Sequence, residues 1–269
     1  RDLAIDTWET AISYYHTIVP MWVRVMRRRK FKTILIDPKN GRHVSAYKMI
    51  RLVLLLSKRL HKIAQQESNL GFLLPSSREG VLGFLSILSL GKTSVNLNYT
   101  SPADVVMGCI KNAKVKTVVT SENFYEKLCQ KNPNFSELKE KVKFFFIDKE
   151  ENDISKVTHF VVSLFTILSP KFLIEFCFSA TKKLSDTAVI LFSSGSEGVP
   201  KGIMLSHKNL IANTQQIDSV VRLKNNDVML AELPMFHSFG VTGNILLSLL
   251  DVIPMVLCSV PTDFKTMAR

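Results

Sequence analysis

No apolar run in this chain reaches the roughly 20 residues that a membrane-spanning helix requires. The most apolar stretch, His159 to Ala180, is interrupted by Pro170, Lys171 and Glu175. A spanning helix, ordinary core and an interfacial hairpin of two short helices all remain open for it, and the interruptions favour the hairpin. Cysteine is also scarce. Cys109, Cys129, Cys177 and Cys258 lie far apart, with no metal-ligand spacing and no short-range pair, so free thiols in a reducing compartment are expected. The chain has no internal repeat, no low-complexity linker and no secretory signal at its start. Acidic residues are in deficit, 23 against 35 Lys and Arg, for a formal net charge of +12. Much of that surplus sits in Arg24, Arg27, Arg28, Arg29, Lys30 and Lys32, directly after the apolar run Ile18-Val-Pro-Met-Trp-Val23. Such a patch suits an anionic membrane surface or an acidic protein, and it also fits a solvated helix face. No nucleic-acid-binding motif accompanies the charge, so nucleic acid is not expected as a partner.

What is present is ample apolar material, 46% of 269 residues, distributed in strand–helix alternation. Leu70 to Pro75 reads as a strand and Glu79 to Gly91 as a helix. Thr93 to Asn98 is the next strand, and Ser101-Pro-Ala-Asp104 opens a helix with Ser at its cap. Lys116 to Thr120 and Phe144 to Asp148 are further strands. The last is apolar nearly throughout, which predicts sheets covered on both faces. Thr33 to Ser45 is a hairpin turning at Asn40-Gly41. The expected class is α/β, with layered sheets and helices on both faces. Along the chain this divides into a basic and aromatic segment (1–30), a first α/β subdomain (31–158), the apolar insertion (159–180) and a second subdomain (181–269).

The second subdomain opens with the apolar run Thr187 to Phe192. It then breaks into Ser193-Ser-Gly-Ser-Glu-Gly-Val-Pro-Lys-Gly202 and resumes as a helical pattern from about Ser206. Glycines let backbone N–H groups approach an anion closely, serines add hydroxyl donors, and Lys201 adds a mobile positive charge. These are the requirements of a phosphate loop. The P-loop pattern fails because Pro200 stands where Gly is needed, and the dinucleotide fingerprint fails at Glu197. The serine-hydrolase elbow fails because Ser194 stands two residues before Ser196. Downstream, Asp227 to Gly240 contains Pro234-Met-Phe-His-Ser-Phe-Gly240.

Ser193 to Gly202 resembles the signature loop of the adenylate-forming (AMP-forming acyl and aryl ligase) superfamily, with Glu197 where most members carry Thr. The Pro-x-Phe-His-x-x-Gly segment is similar to that family's next motif. The Ser-Glu-Gly form and the apolar insertion look most like the bacterial acyl-[acyl carrier protein] synthetases. The resemblance implies the large N-terminal domain of such a ligase, ATP and Mg²⁺ as cofactors, and a fatty acid activated to acyl-AMP. The acyl group would then pass to acyl carrier protein, or to CoA in the alternative reading, at the cytoplasmic face of a membrane. It implies that Ser193, Ser194, Gly195, Ser196, Glu197, Gly198, Lys201 and Gly202 hold the ATP phosphates. His237 would flank the reacting carboxylate, and Phe236, Phe239, Gly240 and Val241 would lie along the acyl pocket. No residue is assigned to a metal.

Family elements are missing after Arg269: the Thr-Glu segment, the Tyr-x-Thr-Gly-Asp motif and the C-terminal domain with its lysine. The absence of Met at position 1 agrees with an N-terminal piece of a longer enzyme, slow or inactive alone, and a catalytically dead membrane-associated protein is a further alternative. An acyltransferase of the His-x-x-x-x-Asp kind is not encoded between Arg1 and Arg269, because none of the six histidines is followed by Asp at that spacing, and whether one precedes Arg1 stays open.

Overall fold

The computed structural model describes residues 17–38, 41–178, 183–193, 200–221, 223–224 and 226–259. The first element is α1 (Ile18–Arg28), in which Ile18, Val19, Trp22, Val23 and Met26 recur at helical spacing and are all buried. This corrects the expectation of an apolar membrane patch at Ile18 to Val23. The Trp22 ring is fully enclosed and meets Phe178 edge-on at 6.1 Å. Trp22 and its neighbours are core because their stripe faces other helices, a distinction that sequence amphipathicity cannot make.

β1 (Thr33–Asp37) and β2 (Arg42–Ser45) form the expected antiparallel hairpin, and Gly41 in its turn has φ +62°. Ser45 then caps α2 (Ala46–Ile63) by accepting the Lys48 N–H. From there the chain alternates. β3 (Asn69–Phe72), α3 (Arg78–Ser89), β4 (Thr93–Asn96), α4 (Ala103–Asn112), β5 (Thr117–Thr120), α5 (Glu122–Lys131), α6 (Leu138–Lys141) and β6 (Lys143–Phe146) follow in turn. Ser77 caps α3 and Ser121 caps α5. Ser101 does not cap α4: Pro102 occupies the cap position, and no side chain bonds the first turn. The β6 strand also stops two residues early, because Ile147 opens α7 (Ile147–Asn152). The Asp148 carboxylate there accepts the Glu122 and Asn123 N–H groups at the start of α5.

The apolar segment becomes α8 (Lys156–Leu168) and α9 (Lys171–Cys177), separated at Ser169-Pro170. No described helix is long and apolar enough to cross a membrane. β7 (Thr187–Phe192), β8 (Gly202–Ser206), α10 (His207–Val221) and β9 (Met229–Ala231) follow, then a π-helical turn Gly240–Leu246, α11 (Leu247–Leu250) and β10 (Met255–Leu257).

The larger sheet has the order β6-β5-β3-β4-β7-β8, parallel except for the final pair, and the smaller has β2-β1-β10-β9. β4 pairs with β7 and β1 with β10, so segments 31–158 and 181–269 supply strands to both sheets. Successive residues of the larger sheet feed opposite faces. Val119, Val189 and Leu191 join the main cluster with α2 and α3, whereas Val118, Val95 and Ile190 join a second cluster with α4 and α5. The expected layering, with helices on both faces, is therefore observed. The main cluster also takes Leu35, Ala231 and Met255 from the smaller sheet. All four cysteines are free thiols, Cys109 and Cys258 buried, Cys129 half-buried and Cys177 exposed.

Candidate functional site

The site is built where parallel strands end. In open α/β sheets that edge collects ligand groups, because strand ends and the loops after them leave backbone polar atoms unpaired. Phe192 closes β7, and Ser193 continues it by one residue: its N–H donates to the Lys201 carbonyl at 3.0 Å, which ties the two ends of the loop together. Phe192 pairs with Gly202 across the β7–β8 ladder. Side chains crowd this ladder on one face, since a Cβ at Gly202 would meet Ile190 and Phe192 at 3.3 and 3.4 Å.

The loop therefore joins two antiparallel strands and does not lead directly into a helix. Ile203-Met-Leu205 is a short apolar run whose periodicity cannot separate strand from helix, and pairing with β7 decides it. Ser194, Gly195, Ser196, Glu197 and Gly198 lie outside the described residues. Ser193, Lys201 and Gly202 lie within them, Lys201 and Gly202 exposed.

Beside this hairpin, β4 ends in Asn96-Leu-Asn-Tyr99. Asn96 is opposite Leu191 in the ladder, so Asn98 and Ser193 leave the sheet side by side. They line one cleft, with Ser101 and Val105 on one side and Phe192 and Pro200 on the other.

The second motif is fastened to the same sheet edge by buried hydrogen bonds. The Asn96 amide donates to the Met235 carbonyl at 2.6 Å, and its oxygen accepts from Ser94 at 2.7 Å. Ser76, past the end of β3, donates to the Leu233 carbonyl at 2.6 Å. With its amide oxygen turned toward the strand end, Asn244 accepts from the N–H groups of Leu233 and Glu232 at 3.1 and 3.2 Å. An irregular segment buried on one side thus has its backbone groups satisfied by side chains.

Within that segment Phe236 is nearly enclosed. Its ring meets Tyr99 edge-on at 4.9 Å, and Tyr99 meets Phe124 at 5.1 Å. Burial pushes the Tyr99 phenol up to about 12. His237 is exposed, with its ring 4.6 Å from Phe236. Its backbone is held at both ends, N–H to Pro234 and carbonyl to the Val241 N–H, each at 3.1 Å. An imidazole with a fixed root and a free face can hydrogen-bond a carboxylate or phosphoryl oxygen as donor.

The remaining expected pocket residues divide. Phe239 is 55% exposed and its ring lies over Gly243. Val241 is fully buried in the main cluster. At Gly240 the backbone approaches Pro234 closely. A Cβ there would overlap the Pro234 carbonyl oxygen and come within 2.8 Å of its carbon.

The profile of the AMP-binding enzyme family matches residues 22–269, nearly the whole chain. The chain belongs to that family. It is 31% identical to 4-coumarate–CoA ligase 2 of Nicotiana tabacum over 196 residues, which cover 71% of this chain and 33% of that protein. It is 48% identical over 64 residues to a probable 4-coumarate–CoA ligase 3 of Dictyostelium discoideum, covering 23% of this chain and 12% of that protein. The fold is similar to the N-terminal domain of FACL13 from Mycobacterium tuberculosis, with a TM-score of 0.76 at 16% identity, over 94% of this chain and 60% of that one. It is also similar to an o-succinylbenzoate CoA synthetase of Bacillus subtilis, crystallised with AMP, with a TM-score of 0.72 at 16% identity, over 92% of this chain and 46% of that one. The chain thus spans about a third of the tobacco ligase. The expected family stands, and so does the layered α/β fold. The curated relatives just described carry CoA-ligase names.

Asn96, Asn98, Tyr99 and Ser76 were not singled out from the sequence as site residues. A small cue was available: Asn is poorly suited to a buried strand, so Asn96 between Val95 and Leu97 signals a buried polar obligation.

Proposed function

We propose that this chain supplies the nucleotide- and carboxylate-binding part of an adenylate-forming ligase. What supports this most is one juxtaposition: the root of the Ser/Gly loop and the Phe236-His237 motif flank the same end of β4, joined through Asn98, Tyr99 and Asn96. The donor set fits a polyphosphate, since Ser193, Ser194 and Ser196 offer hydroxyls and Lys201 an ammonium. Among the described residues no group of three His, Cys, Asp or Glu could hold a metal. Mg²⁺ would travel with the ATP phosphates, where its chemistry is to neutralise their charge.

In the proposed reaction a carboxylate oxygen attacks the α-phosphorus of ATP. An O–P bond forms, the α–β bridging bond breaks, and pyrophosphate leaves. A thiol sulfur then attacks the acyl carbon, AMP leaves with the carboxylate oxygen, and the thiol proton passes to solvent. The loop holds the outer phosphates in line, and His237 donates a hydrogen bond to the carboxylate or its phosphorane partner. Phe236 with Tyr99 forms the apolar wall against which the acid is placed.

CoA is the acceptor favoured by the relatives' names, and an aryl or acyl acid is the substrate. Acyl carrier protein with a fatty acid keeps one observation of its own: a surplus of twelve positive charges suits an acidic carrier. The test is acid-dependent exchange of labelled pyrophosphate into ATP by the protein that carries this chain, over a panel of aromatic and long-chain acids. Gly198→Val and His237→Ala should each lower exchange by at least about a hundredfold, the scale of a lost transition-state donor or phosphate cradle. Exchange that persists in both variants would remove these segments from the chemistry.

A further inference from the structure

The helical hairpin α8–α9 carries an apolar surface that the fold does not cover. Val162 and Phe165 of α8 turn inward against the main cluster, and Thr166 is buried. Val157, Phe160, Val161, Leu164 and Leu168 face solvent, with Phe160 and Leu168 each 69% exposed. Positions three and four residues apart share one side of a helix, so these five form a continuous stripe. Past the elbow at Ser169-Pro170, Phe172 of α9 is 70% exposed and extends the apolar surface. Single exposed apolar residues are ordinary, but a contiguous run of this kind marks an interaction surface.

Cations border the stripe, and α8 itself contains no Asp or Glu. Arg27 donates to the carbonyls of Ser169 (2.8 Å) and Thr166, which places the C-terminal end of α1 at the elbow. Arg28 and Arg29, exposed, follow immediately, and so does Phe31, 78% exposed. Along the flank of α8, Arg51 of α2 donates to the Ser163 hydroxyl at 2.7 Å, and Lys48, exposed, lies one turn earlier on α2. Glu175, the acid of α9, is paired with Arg24.

We infer that this hairpin docks on an anionic lipid bilayer, with α8 lying flat in the headgroup region and its stripe turned toward the acyl chains. Thirteen residues make a helix of roughly 20 Å, short of the roughly 30 Å hydrocarbon core, so α8 lies on the membrane and does not cross it. A fluid apolar layer beneath a negative plane matches an aliphatic and aromatic stripe with cations at its border, and requires no side-chain pocket. A second copy of the chain would set Arg28 and Arg29 against their own counterparts in a molecule already at +12. The interfacial hairpin expected from the sequence thus carries the contact, and of the basic cluster Arg28 and Arg29 are the exposed arginines beside it, Arg24 and Arg27 being bound to Glu175 and to the elbow. The inference is independent of the ligase chemistry.

The direct probe is Phe160→Trp, mixed with vesicles of phosphatidylcholine alone or with phosphatidylglycerol. With the anionic vesicles its emission should shift to the blue and be quenched by lipids brominated on the acyl chain. The protein should sediment with those vesicles and be released as salt rises. Leu164→Asp with Leu168→Asp should lower the partition at least about tenfold. Arg28→Gln with Arg29→Gln should lower it on anionic vesicles only. All these positions are exposed, so urea midpoints and circular dichroism should match the parent, which separates a lost contact from a lost fold. Unshifted emission with every vesicle would overturn the inference. Retention unaffected by the aspartates would also overturn it, as would a blue shift that needs only more protein, or only an acidic carrier protein, and no lipid.

Discussion

A methyl group at position 240 would collide with the Pro234 carbonyl, which is backbone and cannot swing aside. Gly240→Ala should therefore cost about 1–3 kcal/mol, the range for overpacking a well-packed site. Gly108 in α4 is the control, because nothing lies within 4 Å of a Cβ built there. Gly108→Ala should stabilise by about 0.5–1 kcal/mol through helix propensity. Urea denaturation of both variants checks the pair, and equal shifts would contradict the packing at Pro234. Tyr99 gives a pH signature. Its folded value, about 12, lies above the ordinary phenol value of 10, so its contribution is fully present below pH 10. That contribution is lost as pH rises through 12. Tyr99→Phe should flatten the fall in stability between pH 10 and 12, as followed by urea midpoints at intervals across that range. Cys109 adds a separate fall from 9 toward 11, because burial raises its thiol as well.

Two elements show how sequence and structure part company. The apolar run Ile18 to Val23 reads in the sequence as a surface patch, since nothing local says what it faces. The structure buries it and uses Arg27 to hold the elbow of the α8–α9 hairpin. Trp22→Ala should therefore cost about 3–5 kcal/mol. Arg27→Gln should cost about 1–2 kcal/mol, since it removes a charge-assisted bond to a carbonyl, and Arg28→Gln should stay within about 0.5 kcal/mol. If Arg27 and Arg28 proved equal in denaturation, the clamp would be absent. Elsewhere element type was legible wherever a segment carried its own signal. The hairpin of β1 and β2 and the alternation from β3 to β5 appear as read, with ends moved by up to three residues. β8 and β10 were not legible, because strands of five and three residues with no alternation are defined by their partners alone.

At the scale of the molecule, the site depends on contacts that no local pattern encodes. Asn96 reaches Met235 across 139 positions of sequence, and Ser76 reaches Leu233 across 157. The motif residues Ser193 and His237 could be named from the sequence, but the asparagines and the tyrosine that bring their segments together could not. Their role arises only when β4 is seated between β3 and β7. In the proposed reaction a carboxylate is brought in line with the α-phosphorus of ATP. The most direct measurement follows the oxygen atoms. The acid is supplied with ¹⁸O in its carboxylate to the protein that carries this chain, together with ATP and a thiol acceptor, and the products are read by mass spectrometry. The account predicts one ¹⁸O in the phosphate of AMP and none in pyrophosphate. Label in inorganic phosphate, with ADP as the other product, would mean attack at the γ-phosphorus and would contradict it.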